Sequence, residues 1–171
     1  ANLPEITWDY KGLIFRFESR AHSNLHLLAS YAISESKGSM AFNTGATGDF
    51  DFYPQHFVNR YGHLADHSRH RVKLNGYWLL PYDFSLAFDG WWQSEFRWSS
   101  YERTTPYGLE YVEPRGSGIG DSLHQVDLQL SKGYRVGPTR LVILGTVINA
   151  TNSQTGDSIC GSVTGCGDFE F

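Results

Sequence analysis

No run of apolar residues in the sequence approaches the twenty or so that a membrane-crossing helix requires. The longest, Leu-Val-Ile-Leu at 141–144, suits a strand. A secretory leader is also missing, because charges and a proline occupy the first ten residues, where its apolar region would fall. Neither absence excludes a protein that crosses a membrane with strands, whose alternating residues leave only a weak hydropathy signal. Basic residues are few and scattered: 14 Lys and Arg stand against 18 Asp and Glu, for a formal charge of -4. A nucleic-acid partner, which needs clustered cations to neutralise phosphates, is not expected. Cysteine is nearly absent too, with only Cys160 and Cys166. In an exported protein that pair would close a small disulfide loop; in a reducing compartment the two would be thiols or half of a metal site. With no second Cys pair or His-rich partner following, the disulfide is the expectation.

Helical periodicity is scarce, and a period of two takes its place. Aromatic residues are plentiful, at 15% of the chain, with 5 Trp, 10 Tyr and 11 Phe. Six strands are expected, near residues 12–19, 24–34, 70–80, 84 onward, 123–132 and 140–149. In the first, Leu13, Phe15 and Phe17 alternate with Arg16 and Glu18. In the third, Val72, Leu74, Gly76, Trp78 and Leu80 alternate with Arg71, Lys73, Asn75 and Tyr77. The fourth carries Phe84, Leu86, Phe88 and Trp92 on one face, and its alternation continues through Phe96 and Trp98, as if it projected beyond its neighbours. The sixth is apolar on both faces, so its register is open.

The connections alternate short and long, with long loops expected near 35–69, 99–122 and 150–171. A soluble sandwich has no reason to collect every short turn at one end, whereas a transmembrane barrel has short periplasmic turns and long extracellular loops. The reading is therefore an all-β chain of antiparallel transmembrane β-barrel strands spanning 1–171. The apolar face would meet lipid, and Arg71, Lys73, Asn75, Asp89, Asp127 and Gln129 would line the lumen. Trp78, Trp91, Trp92 and Trp98 would form interfacial girdles. A secreted β-sandwich that binds carbohydrate through exposed tryptophans is the soluble alternative.

Several stretches resemble TonB-dependent outer-membrane receptors, particularly the Oar-like group. Residues 28–36 (LASYAISES) are similar to their SYTWSKS-like strand end. Residues 66–71 (DHSRHR), followed by Gly76-Tyr77 and Leu80-Pro81, resemble their D-x-R-H and G-Y-x-L-P segments. Residues 127–132 (DLQLSK) resemble D-L-R-L-S-K, and 147–152 (VINATN) resemble V-F-N-L-F-N with Ile148 and Thr151 as departures. The S-G-x-P-Y pattern is absent from 101–120. The resemblance implies a C-terminal segment of a 22-stranded barrel in the outer membrane of a Gram-negative-type bacterium. Its partners would be the lipid bilayer, the rest of its own barrel and plug, and a periplasmic energy-coupling protein. The implied function is uptake of a scarce nutrient, with the ligand unspecified and no cofactor. A structural or adhesive barrel without transport is the alternative. Closed barrels start at eight strands, so six imply a portion of a larger protein with a further strand beyond Phe171.

Catalytic chemistry finds little footing. His63, Asp66, His67 and His70 would share a face on a helix and suit a divalent metal, but they run straight into a strand and coincide with the D-x-R-H segment. Glu102, Glu110, Glu113 and Asp121 lie in one solvated loop rather than in a paired acid–base arrangement. Gly116, Gly118 and Gly120 lack the strand–turn–helix context of a phosphate cradle. No nucleophile occupies an elbow or triad pattern, so an enzyme is not expected.

Overall fold

The computed structural model describes residues 7–39, 58–64, 67–105 and 108–154. Among these there are no helices, and the strands run in the order β1 (Trp8–His22), β2 (Leu25–Gly38), β3 (Gly62–His63), β4 (His70–Leu80), β5 (Phe84–Gln93), β6 (Arg97–Trp98), β7 (Tyr101–Thr105), β8 (Gly108–Tyr111), β9 (Gly118–Ile119), β10 (Leu123–Val136) and β11 (Thr139–Val147). The chain is all-β and antiparallel. The main sheet has the order β1-β2-β4-β5-β10-β11, with β3 attached to the end of β2. Two small two-stranded ribbons, β6 with β9 and β7 with β8, stand apart from it. The outer edges of β1 and β11 have no partner among the described residues, so the sheet is open there.

The period-two segments all become long strands, and three outgrow their sequence boundaries. β1 extends the expected 12–19 at both ends, β2 continues through Gly38, and β10 continues through Val136. Residues 35–38 are therefore strand rather than loop. The fourth strand is shorter than its alternation suggests. It stops at Gln93, where Ser94 donates its N–H to the His70 carbonyl, and Phe96 and Trp98 belong to loop structure instead. Residues 155–171, and with them Cys160 and Cys166, lie outside the described residues.

Three tight turns join strand pairs at one end. Tyr82 and Asp83 take φ of 62° and 59°, as a two-residue type I′ hairpin turn requires, and Phe84 donates back to the Pro81 carbonyl. Gly137 takes φ 60° ahead of Pro138, the Gly-first pattern of a type II′ turn. The third turn is Ser23-Asn24. The long connections all leave from the opposite end.

The strand ends are staggered. One row across the sheet joins Phe17, Ala29, Leu74, Gly90 and Val126. On the short-turn side it lies 5 residues from the end of β1, 6 from the end of β4 and 10 from the end of β10. On the long-loop side it lies 9, 4 and 3 residues from the starts of the same strands. Both margins drift the same way, which is how strands tilted against a common axis are arranged.

Side chains at paired positions share a face. One face collects Leu13, Phe15 and Phe17 from β1, Leu25 to Ile33 in alternation from β2, and Val72, Leu74, Trp78 and Leu80 from β4. It continues through Phe84, Leu86, Phe88 and Trp92 of β5, then Val126, Leu128 and Leu130 of β10. Pairing also settles β11: Leu141, Ile143 and Val147 join this apolar face, while Val142, Leu144 and Thr146 take the other. No second layer covers it among the described residues. Leu13, Phe15, Phe17, Leu74, Leu130 and Ile143 are all exposed, and the buried hydrophobic residues among those described are Leu64 and Phe96, both in the long loops.

Candidate functional site

The opposite face is polar along its middle. Arg71, Lys73 and Asn75 of β4, Asp89 of β5, and Asp127 and Gln129 of β10 all lie on it. Arg16 and Ser30 extend it, and the register runs Arg16–Ser30–Lys73–Trp91–Gln125 in one row and Glu18–Leu28–Asn75–Asp89–Asp127 in another. Trp91 thus stands on the polar face, not in an interfacial girdle. The Ser85 and Ser131 hydroxyls meet across β5 and β10 at 2.6 Å. Asp127 accepts the Asn149 backbone N–H at 2.8 Å and the Gln125 amide at 2.9 Å. Asn149, at φ 53°, in turn accepts the Ser153 N–H at 3.0 Å, so the chain leaving β11 folds back onto this face. The sequence-derived lumen set is brought together on one surface, where Asp127 is held by Gln125 and the Asn149 N–H.

Beyond the long-loop end of the sheet, the segments 58–64 and 111–120 pack on each other. Their order comes from backbone hydrogen bonds. Arg115 donates its N–H to the Asn59 carbonyl at 2.9 Å and accepts the His63 N–H at 3.1 Å, while Leu64 donates to the Ser36 carbonyl. Asn59 spends its amide on the Tyr111 and Val112 carbonyls. Arg60, 2% exposed, donates its Nε–H to the Ser39 carbonyl, and the Arg115 guanidinium lies 5.8 Å from the Tyr111 ring centre. The glycines permit this closeness. A Cβ on Gly62 would stand 1.9 Å from the Arg115 carbonyl, and Gly118 and Gly120 lie flat beneath the rings of Trp98 and Phe96. In the Gly-x-Gly-x-Gly run at 116–120, Gly118 and Gly120 are therefore a packing surface for aromatics and Gly116 admits the His63 backbone, and Trp98 lies in the loop core rather than at a membrane interface. The pattern of two aromatics two residues apart, matched by two glycines two residues apart, is the sequence signal that pairs these loops.

The metal candidates separate. Among the described residues of 62–70 there is no helix, so His63, His67 and His70 do not share a helical face. His67 donates from Nε2 to the Ser34 carbonyl at 3.1 Å, and His70 Nδ1 meets the Tyr31 hydroxyl at 2.8 Å with the rings stacked. His63 pairs with Lys37 in β3, and its Nδ1 is buried without a partner. Asp66 lies outside the described residues. Burial holds the pKa of His63 below the ordinary histidine value, and Lys37 and Arg97 push the same way. Burial also lowers that of His67, against the opposing pull of its bond to Ser34.

At the short-turn end an open cleft of about 490 Å³ is lined by Arg20, Ser23, Leu25, His26 and Tyr77. Its floor is the stacked pair His26 and Tyr77, and Glu18 joins Arg20 at 2.9 Å to His26 at 3.4 Å. Comparison of the chain with family models, with curated proteins and with solved structures returns no match.

Proposed function

We propose that this chain is a segment of an outer-membrane β-barrel, and that the barrel belongs to a receptor of the TonB-dependent kind that takes up a scarce nutrient. The observation that carries the barrel is the apolar face that extends over all six long strands and that no described residue covers. A soluble monomer rarely leaves more than a few hundred Å² of contiguous apolar surface exposed, and the described residues leave one side of this sheet without a covering layer. Lipid tails are a partner that such a surface fits. The staggered strand ends, the tight turns gathered at one end and the polar opposite face favour the same reading.

The transport role rests on the motif resemblance and on the polar face. The interlocked loops 58–69 and 94–120 would form part of an extracellular wall that meets the ligand. The face bearing Arg71, Lys73, Asn75, Asp89, Asp127 and Gln129 would line its passage once a plug, supplied elsewhere in the protein, is moved by the periplasmic energy-coupling partner.

The test is the intact mass and location of the native polypeptide. A species several times 19.3 kDa, extracted from outer membranes only by detergent and carrying a plug, supports the receptor. The same fraction without a plug points to a structural barrel. A soluble species near 19.3 kDa overturns both.

A further inference from the structure

Lys132 is out of place on its own surface. It sits in the row Leu80–Phe84–Lys132–Ile143 on the apolar face, level with the turn at 81–83. Its ammonium donates to the Tyr82 carbonyl and lies 4.2 Å from the Phe84 ring centre and 5.5 Å from that of Tyr134. No carboxylate among the described residues meets it. Two ring faces and one carbonyl attract a cation without neutralising it, so one unit of positive charge is presented among exposed apolar side chains.

The surroundings repeat the signal. Tyr82 is 86% exposed and held at φ 62°, a position that turns normally give to Gly, Asn or Asp. Beyond this turn the β10–β11 hairpin projects further, with Tyr134, Val136 and Leu141 exposed on the apolar face. Its other face sets Arg135 directly opposite Arg140, and the nearest acid to that pair is Asp83, 4.0 Å from Arg140. Like charges directly opposed across two strands repel. On the apolar face Lys132 is a cation with ring and carbonyl partners and no acid among the described residues, a setting that suits an external anion.

We infer that Lys132, framed by Tyr82, Phe84 and Tyr134, binds the phosphate of a phospholipid headgroup at the short-turn membrane surface. This deepens the barrel reading and depends on it. In a membrane the lysine stem crosses the last apolar rows and its ammonium reaches headgroup depth, while the rings occupy the interface where amphipathic aromatics belong. A lipid is favoured over an acidic protein because the cation lies on the apolar face, between rings that acyl chains would flank.

The test uses the full polypeptide that carries this chain, purified from membranes and reconstituted in bilayers of phosphatidylcholine with or without phosphatidylglycerol. Retained phosphatidylglycerol is counted by native mass spectrometry after release. Wild type is expected to keep this lipid selectively, Lys132→Gln to bind it about fivefold more weakly, and Lys132→Arg to restore most of the binding. Equal retention in wild type and Lys132→Gln, with the protein correctly inserted, overturns the headgroup site and leaves the barrel standing. Displacement by inorganic phosphate or polyglutamate at matched charge overturns it in favour of a free-anion or acidic-protein site. Failure to enter any bilayer sinks the barrel reading, and the headgroup site falls with it.

Discussion

Gly118 lies directly beneath Trp98: a Cβ on the glycine would stand 2.4 Å from the indole. The two are cross-strand partners in β6 and β9, and that small ribbon fastens one long loop against itself. A side chain at 118 must push the indole out of its place. Gly118→Val is expected to cost the loop core about 1–3 kcal/mol while leaving the sheet intact. Limited proteolysis checks this, with faster cleavage within 94–120 and an unchanged sheet signal in circular dichroism. Cleavage at the wild-type rate would show that the contact does not hold the loop.

Adjacent residues on β4 alternate between the apolar face and the polar one, which the proposed barrel would turn to lipid and to water. Leu74 lies near the middle of the apolar face, Leu80 at its short-turn margin, and Asn75 on the polar face opposite Asp89. In lipid vesicles Leu74→Arg is expected to destabilise by about 2–4 kcal/mol and Leu80→Arg by about 0–1 kcal/mol, following bilayer depth. Asn75→Arg is expected to be near neutral, since its guanidinium would face a carboxylate. Urea unfolding of the three variants in vesicles reads the order directly. Equal costs at 74 and 80 would break the link between position and bilayer depth.

The long strands were legible because each carries a period of two that turn residues interrupt; residues 70–80 form a strand with the bounds the alternation marks. The polar set from Arg71 to Gln129 was legible for the same reason, since parity within a strand decides the face. Parity fails where both faces are apolar, so the register of β11 emerges only from its pairing with β10. It also misleads where regular spacing continues past the end of pairing. Phe96 and Trp98 keep the alternation of β5 but turn into the loop core to cover Gly120 and Gly118. Trp91 shows the opposite limit: its composition suggests an interface, yet parity places it beside Lys73 on the polar face. The loop core itself is written mainly in backbone hydrogen bonds such as Arg115 to Asn59, which side-chain patterns do not encode.

Asp89 and Asp127 are directly opposed across β5 and β10, but only Asp127 is anchored, by the Asn149 N–H and the Gln125 amide. Neutralising either one removes the same repulsion. Their variants should nonetheless differ in sign. Asp89→Asn is expected to stabilise by roughly 0.2–1 kcal/mol. Asp127→Ala loses a charge-assisted acceptor and leaves the Asn149 N–H unmatched, and is expected to destabilise by about 1–3 kcal/mol. Thermal unfolding in detergent distinguishes them, and a shift of the same sign in both would remove the anchoring role given to Asp127.

Acid should loosen the long loops through His67 and His63. Both are disfavoured as imidazolium when the loops are packed, chiefly because burial strips the charge of water. The opened loop holds ordinary histidines, so it binds protons first as pH falls. Loop stability is therefore complete above the ordinary histidine pKa of about 6.5 and declines as pH drops below it, until the lowered pKa of the packed state is passed. The His67 bond to Ser34 survives protonation, because Nε2 is already the donor; the penalty is desolvation rather than a lost hydrogen bond. Amide exchange at His63 and Leu64, which donate to Arg115 and Ser36, is the measurement, corrected for intrinsic rate. Protection should fall between pH values of about 7.5 and 5.5, either side of the ordinary histidine pKa, and His67→Gln should flatten part of that fall. Protection that is constant across this range would mean that neither imidazole senses the loop opening.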